Sequence, residues 1–277
     1  MSWGKWGKQF SIDEQVDMIE FCLEKGNSVF DHADLYGDYT TESEFGKALK
    51  KGGFKREEIS IITKCGIQNP GKTRNNSIKH YNYSKDYIIW SAENSLKNLN
   101  TDYLDVFLLH RPSPLMNPLE IAEAISILKD EGKIINFGVS NFTAEQVDLI
   151  KAEVPVSVNQ IEFSLINNSA MINGNLAHMQ NNNIQPMAWG PLGKYFTEDN
   201  EQTKRIKKEL LHLSKKYDVS EDTILLSWIV KHPSKISPVV GTTNKQRIIQ
   251  ANKALKLQLE LEDWFSLWQA ALGREVD

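Results

Sequence analysis

The chain of 277 residues lacks most features that mark specialised protein classes. Its two cysteines, Cys22 and Cys65, have no C-x-x-C spacing and cannot build a disulfide framework, which favours reduced side chains and a reducing cytoplasm. The first residues lack the apolar core of a signal peptide, and no apolar run approaches the roughly 18 residues that span a bilayer. A formal net charge of −4 gives no reason to expect nucleic acid or an anionic membrane as partner. We therefore expect a cytoplasmic protein that binds neither.

Linker composition is missing as well. The sequence has no low-complexity stretch and no run rich in Pro, Gly and Ser, so residues 1–277 are interpreted as one domain. The hydrophobic content of 40% and the charged content of 25% are ordinary for a globular protein. A chain of this length can bury roughly three quarters of its unfolded surface, which is enough for a large core.

Short apolar runs alternate with amphipathic helical patterns along the whole chain. The predicted strands are 28–31, 59–64, 104–110, 134–140, 156–162, 184–189 and 236–241. The predicted helices are 13–25, 41–50, 85–98, 118–130, 144–151, 169–182, 202–217, 222–231, 245–255 and 261–272. This alternation favours an α/β fold with a parallel sheet covered by helices.

Two observations favour a (β/α)8 TIM barrel over a doubly wound sheet. No G-x-G-x-x-G turn follows a strand, and polar residues stand at the carboxyl end of nearly every strand, where a barrel has its active site. The count is seven strands, whereas a barrel of this kind has eight. The first barrel strand is therefore either very short or absent from this chain.

Four of these polar residues could together reduce a carbonyl group. A tyrosine hydroxyl, with a pKa of about 10, transfers protons poorly at neutral pH unless a neighbouring ammonium favours the phenolate. Tyr36 follows the first strand, Lys64 ends the next, Asp31 could pair with Lys64, and His110 could hydrogen-bond a substrate oxygen. Taken singly, each has an ordinary explanation as a helix cap, a turn residue, a surface charge or a capped strand end. Their occurrence on consecutive strand ends favours catalysis.

A metal site at Asp31, His32 and Asp34 is disfavoured. Neighbouring strand positions point to opposite faces, and no other dense group of His, Asp or Cys in the sequence supports coordination. An unrelated hydrolase or isomerase barrel would need such a site or a pair of carboxylates, and the sequence offers neither.

The motifs in chain order resemble the aldo-keto reductase family over essentially the whole chain. They are Asp31-His-Ala-Asp-Leu-Tyr36-Gly37, Thr63-Lys64, Leu-Leu-His110-Arg-Pro, Gly-Val-Ser140-Asn141-Phe and Asn159-Gln160. The first of them looks closest to a bacterial oxidoreductase branch. The resemblance implies a monomer that reduces an aldehyde or ketone, with Tyr36 as proton donor, Asp31 and Lys64 tuning it, and His110 orienting the carbonyl.

The same resemblance implies a nicotinamide site. Ser140, Asn141 and Gln160 would bind the carboxamide, and Trp189 would stack on the ring, although core packing is the alternative for this tryptophan.

Two further segments could hold phosphates. Gly190, Pro191, Leu192 and Gly193 form a turn of small residues, and Gly241, Thr242 and Thr243 lead into a helix that carries Arg247 and Gln250. Arg247 would suit a 2′-phosphate, so NADP(H) is the expected cofactor. The family's usual Lys at position 241 and Asn at position 251 are Gly and Ala here, which weakens the cofactor preference.

Family members usually begin with a hairpin and a first strand that precede a segment like residues 3–7. The resemblance therefore implies that this strand lies upstream of Met1. Its loss would leave unpaired edges at residues 28–31 and 236–241, so we expect a version with the upstream strand to melt at a higher temperature.

One alternative function stays open. A barrel of this type could bind nicotinamide without turnover, as a redox sensor or partner subunit. Substrate identity is outside what the sequence indicates, because the loops over the barrel mouth, including residues 66–83, shape the pocket.

Overall fold

Eleven α-helices and nine β-strands make up the regular structure in the computed structural model, which describes residues 3–71 and 73–276. The chain divides into two compact units, residues 1–159 and 160–277. Within the described residues, none of the helices combines the length and the apolarity that crossing a bilayer requires.

The first unit alternates helices with parallel strands. Its elements are α1 (Ile12–Glu24), β1 (Val29–Asp31), α2 (Tyr36–Tyr39), α3 (Thr41–Gly52), β2 (Ser60–Cys65), β3 (Ile67–Gln68), β4 (His80–Tyr81), α4 (Lys85–Leu99), β5 (Leu104–Leu109), α5 (Pro118–Asp130), β6 (Ile134–Ser140) and α6 (Ala144–Lys151). Strands β1, β2, β5 and β6 lie side by side in this order, all parallel. The short strands β3 and β4 pair antiparallel as a separate hairpin.

Strand β7 (Val158–Glu162) contains the boundary between the units. The second unit continues with α7 (Asn175–Asn181), β8 (Gln185–Trp189), α8 (Glu201–Tyr217), α9 (Glu221–Val230), β9 (Ser237–Pro238), α10 (Lys245–Ala254) and α11 (Leu261–Leu272). Strands β8 and β9 pair in parallel. The number of parallel strands, seven in the described residues, matches the sequence prediction.

Local sequence explains where the helices begin. Ser11 accepts a hydrogen bond from the Glu14 N–H, and the Glu14 carboxylate accepts one from the Ser11 N–H, which forms a capping box at α1. Thr143 and Gln146 form the same motif at α6. The central strands are buried on both faces, as Phe107, Leu108 and Leu109 show, and this matches their nearly continuous apolar sequence.

Several elements differ from the sequence prediction. The helix predicted at 169–182 is a 3-10 turn, Ser169–Met171, followed by α7, because Gly174 between them has φ +88°. The last strand is only Ser237–Pro238, because Pro238 has no N–H to donate to a sheet. The hairpin of β3 and β4 was not predicted.

Candidate active site

The side chain of Lys64 lies at the centre of the polar residues at the carboxyl ends of β1 and β2. The register pairs Asp31 with Ile62, so the end of β1 lies two residues before Lys64 along β2. Lys64 is completely buried, and its Nζ donates to both carboxylate oxygens of Asp31 at 2.8 and 2.7 Å and to the His32 carbonyl at 2.7 Å. A buried ammonium is tolerated only with such partners, so Asp31 holds the charge of Lys64 in place.

The charge state of Lys64 follows from two opposing effects. Burial alone would lower its pKa, but the charges and hydrogen bonds of Asp31 and Tyr36 outweigh burial and raise the pKa above its usual value. Lys64 is therefore an ammonium at neutral pH.

Tyr36 begins the short turn of helix α2 and lies beside this ammonium. Its ring centroid is 5.2 Å from the Lys64 Nζ. The turn depends on Gly37, which has φ +64° and where an added Cβ would lie 2.5 Å from the Thr41 hydroxyl oxygen. A side chain at position 37 would be strained and would crowd the Thr41 hydroxyl, so this position favours glycine.

His110 follows β5 on the other side of Lys64. The backbone N–H of His110 donates to the Cys65 carbonyl at 2.9 Å. The imidazole ring lies edge-on to the Tyr36 ring, with centroids 5.8 Å apart. Burial, and secondarily the charge of Lys64, hold the pKa of His110 well below its usual value. The imidazole is neutral at pH 7, so it offers one N–H donor. In the described part of the chain its Nδ1 has no hydrogen-bond partner.

Ser140 ends the next strand, β6, and Asn141 follows it. Ser140 is buried, and Asn141 has φ +63°. The Asn141 amide donates to the Ser140 hydroxyl at 2.8 Å and to the His110 carbonyl at 3.5 Å. The predicted residues of the first unit, from Asp31 to Asn141, thus form one chain of contacts.

The other predicted residues belong to the second unit. Gln160 is buried in β7, and Trp189 ends β8. The turn that follows has Gly190 at φ +60° and Gly193 at φ +55°, and the Gly193 N–H donates to the Gly190 carbonyl at 2.7 Å. Both positions favour glycine.

The segment from Gly241 to Gln250 leads into α10. Asn244 caps this helix by accepting from the N–H groups of Gln246 and Arg247 at 2.8 and 3.3 Å. Arg247 is exposed. The side-chain oxygen of Gln250 is buried and, among the described residues, has no hydrogen-bond partner.

Sequence reasoning missed a second polar cluster, made by Asp34, Arg74 and Tyr87, in which Asp34 lies two residues before Tyr36 in the chain. Asp34 lies in the first motif, but in the sequence it stands out only as a potential metal ligand, a role that the sequence disfavours. Among residues 3–71 and 73–276, no group of three or more His, Cys, Asp or Glu side chains could hold a metal ion.

Known proteins resemble this chain over nearly its whole length. The profile of the aldo/keto reductase family matches residues 1–271. An uncharacterized oxidoreductase, YcsN of Bacillus subtilis, is 40% identical over 96% of this chain and 91% of its own. A 6-dehydroglucose reductase of Agrobacterium fabrum is 38% identical over 93% of this chain and 88% of its own.

A solved structure extends this to the fold. An aldo/keto reductase of Klebsiella pneumoniae, in complex with NADP and acetate, aligns with a TM-score of 0.77 at 23% identity, over 92% of this chain and 84% of its own. The predicted fold class, a TIM barrel of the α/β class, is thereby confirmed.

Proposed function

Because this chain belongs to the aldo/keto reductase family of oxidoreductases, we propose that it reduces an aldehyde or ketone to an alcohol with NADP(H), using Tyr36 as proton donor. The observation that carries this proposal is the buried Lys64 ammonium, held by Asp31 and in contact with Tyr36. Nothing in a purely structural role calls for a fully buried ammonium next to a tyrosine hydroxyl.

The proton transfer follows from these contacts. Tyr36 gives its hydroxyl proton to the carbonyl oxygen as that oxygen becomes an alkoxide, and the negative charge left on Tyr36 is stabilised by Lys64. Asp31 keeps Lys64 charged and in position. Neutral His110 directs its one N–H donor to the same carbonyl oxygen, which orients the substrate without a competing positive charge. Solvent then returns a proton to Tyr36.

Each unit carries residue types that match particular chemical groups of the cofactor. The buried hydroxyl of Ser140 and the amide of Asn141 are the donor and acceptor types that a carboxamide needs. In the second unit, the buried side-chain oxygen of Gln250 is an acceptor suited to an adenine amino group, and exposed Arg247 is suited to a 2′-phosphate.

The remaining second-unit residues fit as well. Gln160 is a further amide for the carboxamide, Trp189 offers an aromatic face, and the turn 190–193 and Gly241, Thr242 and Thr243 offer backbone amides for phosphates. NADP(H), when bound, supplies the hydride that reduces the carbonyl carbon. The NADP in the Klebsiella pneumoniae structure supports this choice.

The test combines cofactor binding with a carbonyl panel. We expect NADPH to quench tryptophan fluorescence through Trp189 and to be oxidised in the presence of a carbonyl substrate. The panel should include 6-dehydroglucose, because the Agrobacterium fabrum relative is a reductase of that sugar, together with simple aldehydes and ketones.

Variants at two tyrosines separate the proposed proton transfer from general effects. Tyr36→Phe should lower kcat by about 100-fold or more, since general acid catalysis contributes on that order. Tyr103→Phe is the matched control, because Tyr103 lies under the guanidinium of Arg56 before β5 and the ring is preserved. Tight NADPH binding without turnover on any carbonyl would instead favour the sensor or partner-subunit alternative.

A further inference from the structure

We propose that Arg74 is a positioning residue that latches residues 66–83 onto Asp34 and so fixes the backbone that carries Tyr36. This inference rests on the proposed function for its effect on catalysis. Its structural part concerns only residues of the first unit.

Arg74 is largely shielded from solvent within a mostly exposed segment. Most described side chains between positions 70 and 80 are exposed, but the Arg74 side chain is only 14% exposed. Its guanidinium carbon lies 3.9 Å from the centre of the Tyr39 ring and 4.9 Å from that of Trp90. Stacking of this kind stabilises a cation that is partly removed from water.

Arg74 contacts the Asp34 carboxylate both directly and through Tyr87. Its Nη1 donates to the Tyr87 hydroxyl at 2.6 Å and to the Gln68 side-chain oxygen at 3.3 Å, and its Nη2 lies 3.6 Å from Asp34 Oδ2. The hydroxyls of Tyr87 and Ser91 donate to the same Asp34 oxygen at 3.2 and 3.3 Å. Arg74 is therefore both the counter-ion of Asp34 and part of its hydrogen-bond network.

Asp34 stands between the residues proposed for proton transfer. It is three residues after Asp31 and two before Tyr36, and its N–H donates to the Lys64 carbonyl at 2.9 Å. The Asp34 side chain is 1% exposed. Burial raises the pKa of Asp34 to about 7, and the charge of Arg74 opposes that rise. Loss of Arg74 would leave a buried carboxylate that must either take a proton or move, and movement would displace Tyr36.

The same segment is tied to the backbone beside His110. The Tyr83 hydroxyl donates to the Arg111 carbonyl at 2.5 Å and accepts from the Arg111 N–H at 3.1 Å. This segment directly follows β2, which carries Lys64. Through Arg74 it contacts Asp34, near Tyr36, and through Tyr83 it contacts Arg111, next to His110. A segment with these two attachments can hold Tyr36 and His110 at a constant separation.

A second arginine provides a matched control. Arg56 stacks on Tyr103 at 3.9 Å and pairs with Asp105 at 2.6 Å, with 21% of its side chain exposed. Arg56 precedes β2, and its partners Tyr103 and Asp105 lie at the start of β5, so the pair is at the opposite end of these strands from Lys64. Arg74→Met and Arg56→Met thus remove chemically similar interactions at different distances from Tyr36.

The experiment compares these two variants in full-length protein. We expect Arg74→Met to lower kcat by about 10-fold or more with little change in KM, because small misplacements of reacting groups are costly. Amide hydrogen exchange should accelerate in residues 33–40 and 69–80. Arg56→Met should melt at a lower temperature with kcat within about twofold of wild type and unchanged exchange in residues 33–40, because its contacts lie away from Tyr36.

Asp34→Asn in the Arg74→Met background provides a rescue. Removing the uncompensated carboxylate should restore part of the slow exchange in residues 33–40, whereas a lost packing contact alone would not be restored. Equal kcat losses in Arg56→Met and Arg74→Met would overturn the latch, as would unchanged exchange at 33–40 in Arg74→Met. If wild type shows no turnover but Arg74→Met still accelerates exchange at 33–40, the proposed function fails and the latch is supported.

Discussion

Both ends of the adjacent strands β2 and β5 carry a cation paired with an aspartate, but the two pairs differ in how deeply they are buried. At the amino end, Arg56 donates to the Thr101 hydroxyl at 2.7 Å, the Tyr103 carbonyl at 2.8 Å and Asp105 at 2.6 Å. Asp105 also accepts from the Ile61 N–H at 2.7 Å. Both charged side chains are about one fifth exposed, so water can reach them as well as their protein partners.

At the carboxyl end, together with the segment that follows the neighbouring strand β1, charges and polar groups are more deeply buried, and several polar atoms are unpaired. Lys64 is entirely buried. In the described part of the chain, His110 Nδ1, Asp34 Oδ1 and both ring nitrogens of His32 have no hydrogen-bond partner. Each such atom costs about 1–3 kcal/mol of stability.

The two ends therefore differ in how deeply their charged and polar groups are buried and in how fully they are hydrogen-bonded. The polar groups at the amino end stabilise the fold, because their contacts are short and complete. Those at the carboxyl end are held at a cost, which is expected where a reaction sets the requirement.

The largest expected effect concerns the carboxyl end directly. Lys64→Met should lower kcat by about 100-fold or more, because the charge that develops on Tyr36 loses its counter-ion. A loss of about 100-fold corresponds to about 2.7 kcal/mol in the activation free energy. Steady-state rates of NADPH oxidation with the best substrate of the panel would measure it.

Lys133→Met is the control at the other end. Lys133 immediately precedes β6 and pairs with Glu93 and Glu131, both at 2.6 Å, with 27% of its side chain exposed. Its loss should change kcat by less than about twofold, since partly exposed ion pairs have small effects. The contrast between the two ends fails if both lysine variants lose activity to the same degree.

Much of the fold follows from local sequence. Strands such as β5 were predictable because a continuous apolar run ends in a polar residue, and α5 and α11 match their predicted bounds. The hairpin of β3 and β4 was not predictable, because strands of two residues have no alternating pattern. The break at Gly174 was missed because a single glycine is also tolerated inside helices.

The sequence predicts some contacts of the site and not others. The contact of Lys64 with Asp31 follows from adjacent strands with polar carboxyl ends, whereas the roles of these residues stay a prediction. The contact of Arg74 with Asp34 depends on the path of a long segment, which no local pattern encodes.

Glycine substitutions test the same contrast through the free energy of unfolding instead of the reaction rate. Gly66 has φ +112°, and a Cβ there would lie 2.1 Å from the ring of Tyr83, which is buried and bonded to Arg111. Gly66→Ala should therefore reduce the free energy of unfolding by about 3 kcal/mol, from backbone strain of about 1–2 and overpacking of about 1–3. It should also lower activity, because Tyr83 adjoins the backbone beside His110.

Gly132 is the corresponding glycine at the amino end of β6. It has φ +69°, and nothing in the described part of the chain lies within 4 Å of the position that a Cβ would take. Gly132→Ala should cost only the backbone strain, about 1 kcal/mol, and leave kcat unchanged. Urea denaturation of both variants checks the order, and a larger loss in Gly132→Ala would contradict the packing argument.

The smallest effect concerns His32, which is fully buried with its ring centroid 4.4 Å from that of Phe45. Burial, with smaller contributions from nearby positive charges, holds the pKa of His32 well below its usual value of about 6.5. Below a pH of about 6.5 the unfolded chain binds a proton at this residue that the folded chain does not, so this contribution to stability is present above that pH and is lost as pH falls.

Replacing His32 by an apolar residue should remove that contribution. We expect the stability of wild type to fall by about 1 kcal/mol more than that of His32→Leu between pH values of about 6.5 and 5.5, since one pKa unit corresponds to about 1.36 kcal/mol. His32→Phe repeats the measurement with a ring against Phe45, so it should share the altered pH dependence even if its absolute stability differs. Parallel stability curves for wild type and both variants, from urea denaturation at closely spaced pH values, would show that His32 is protonated in the folded protein.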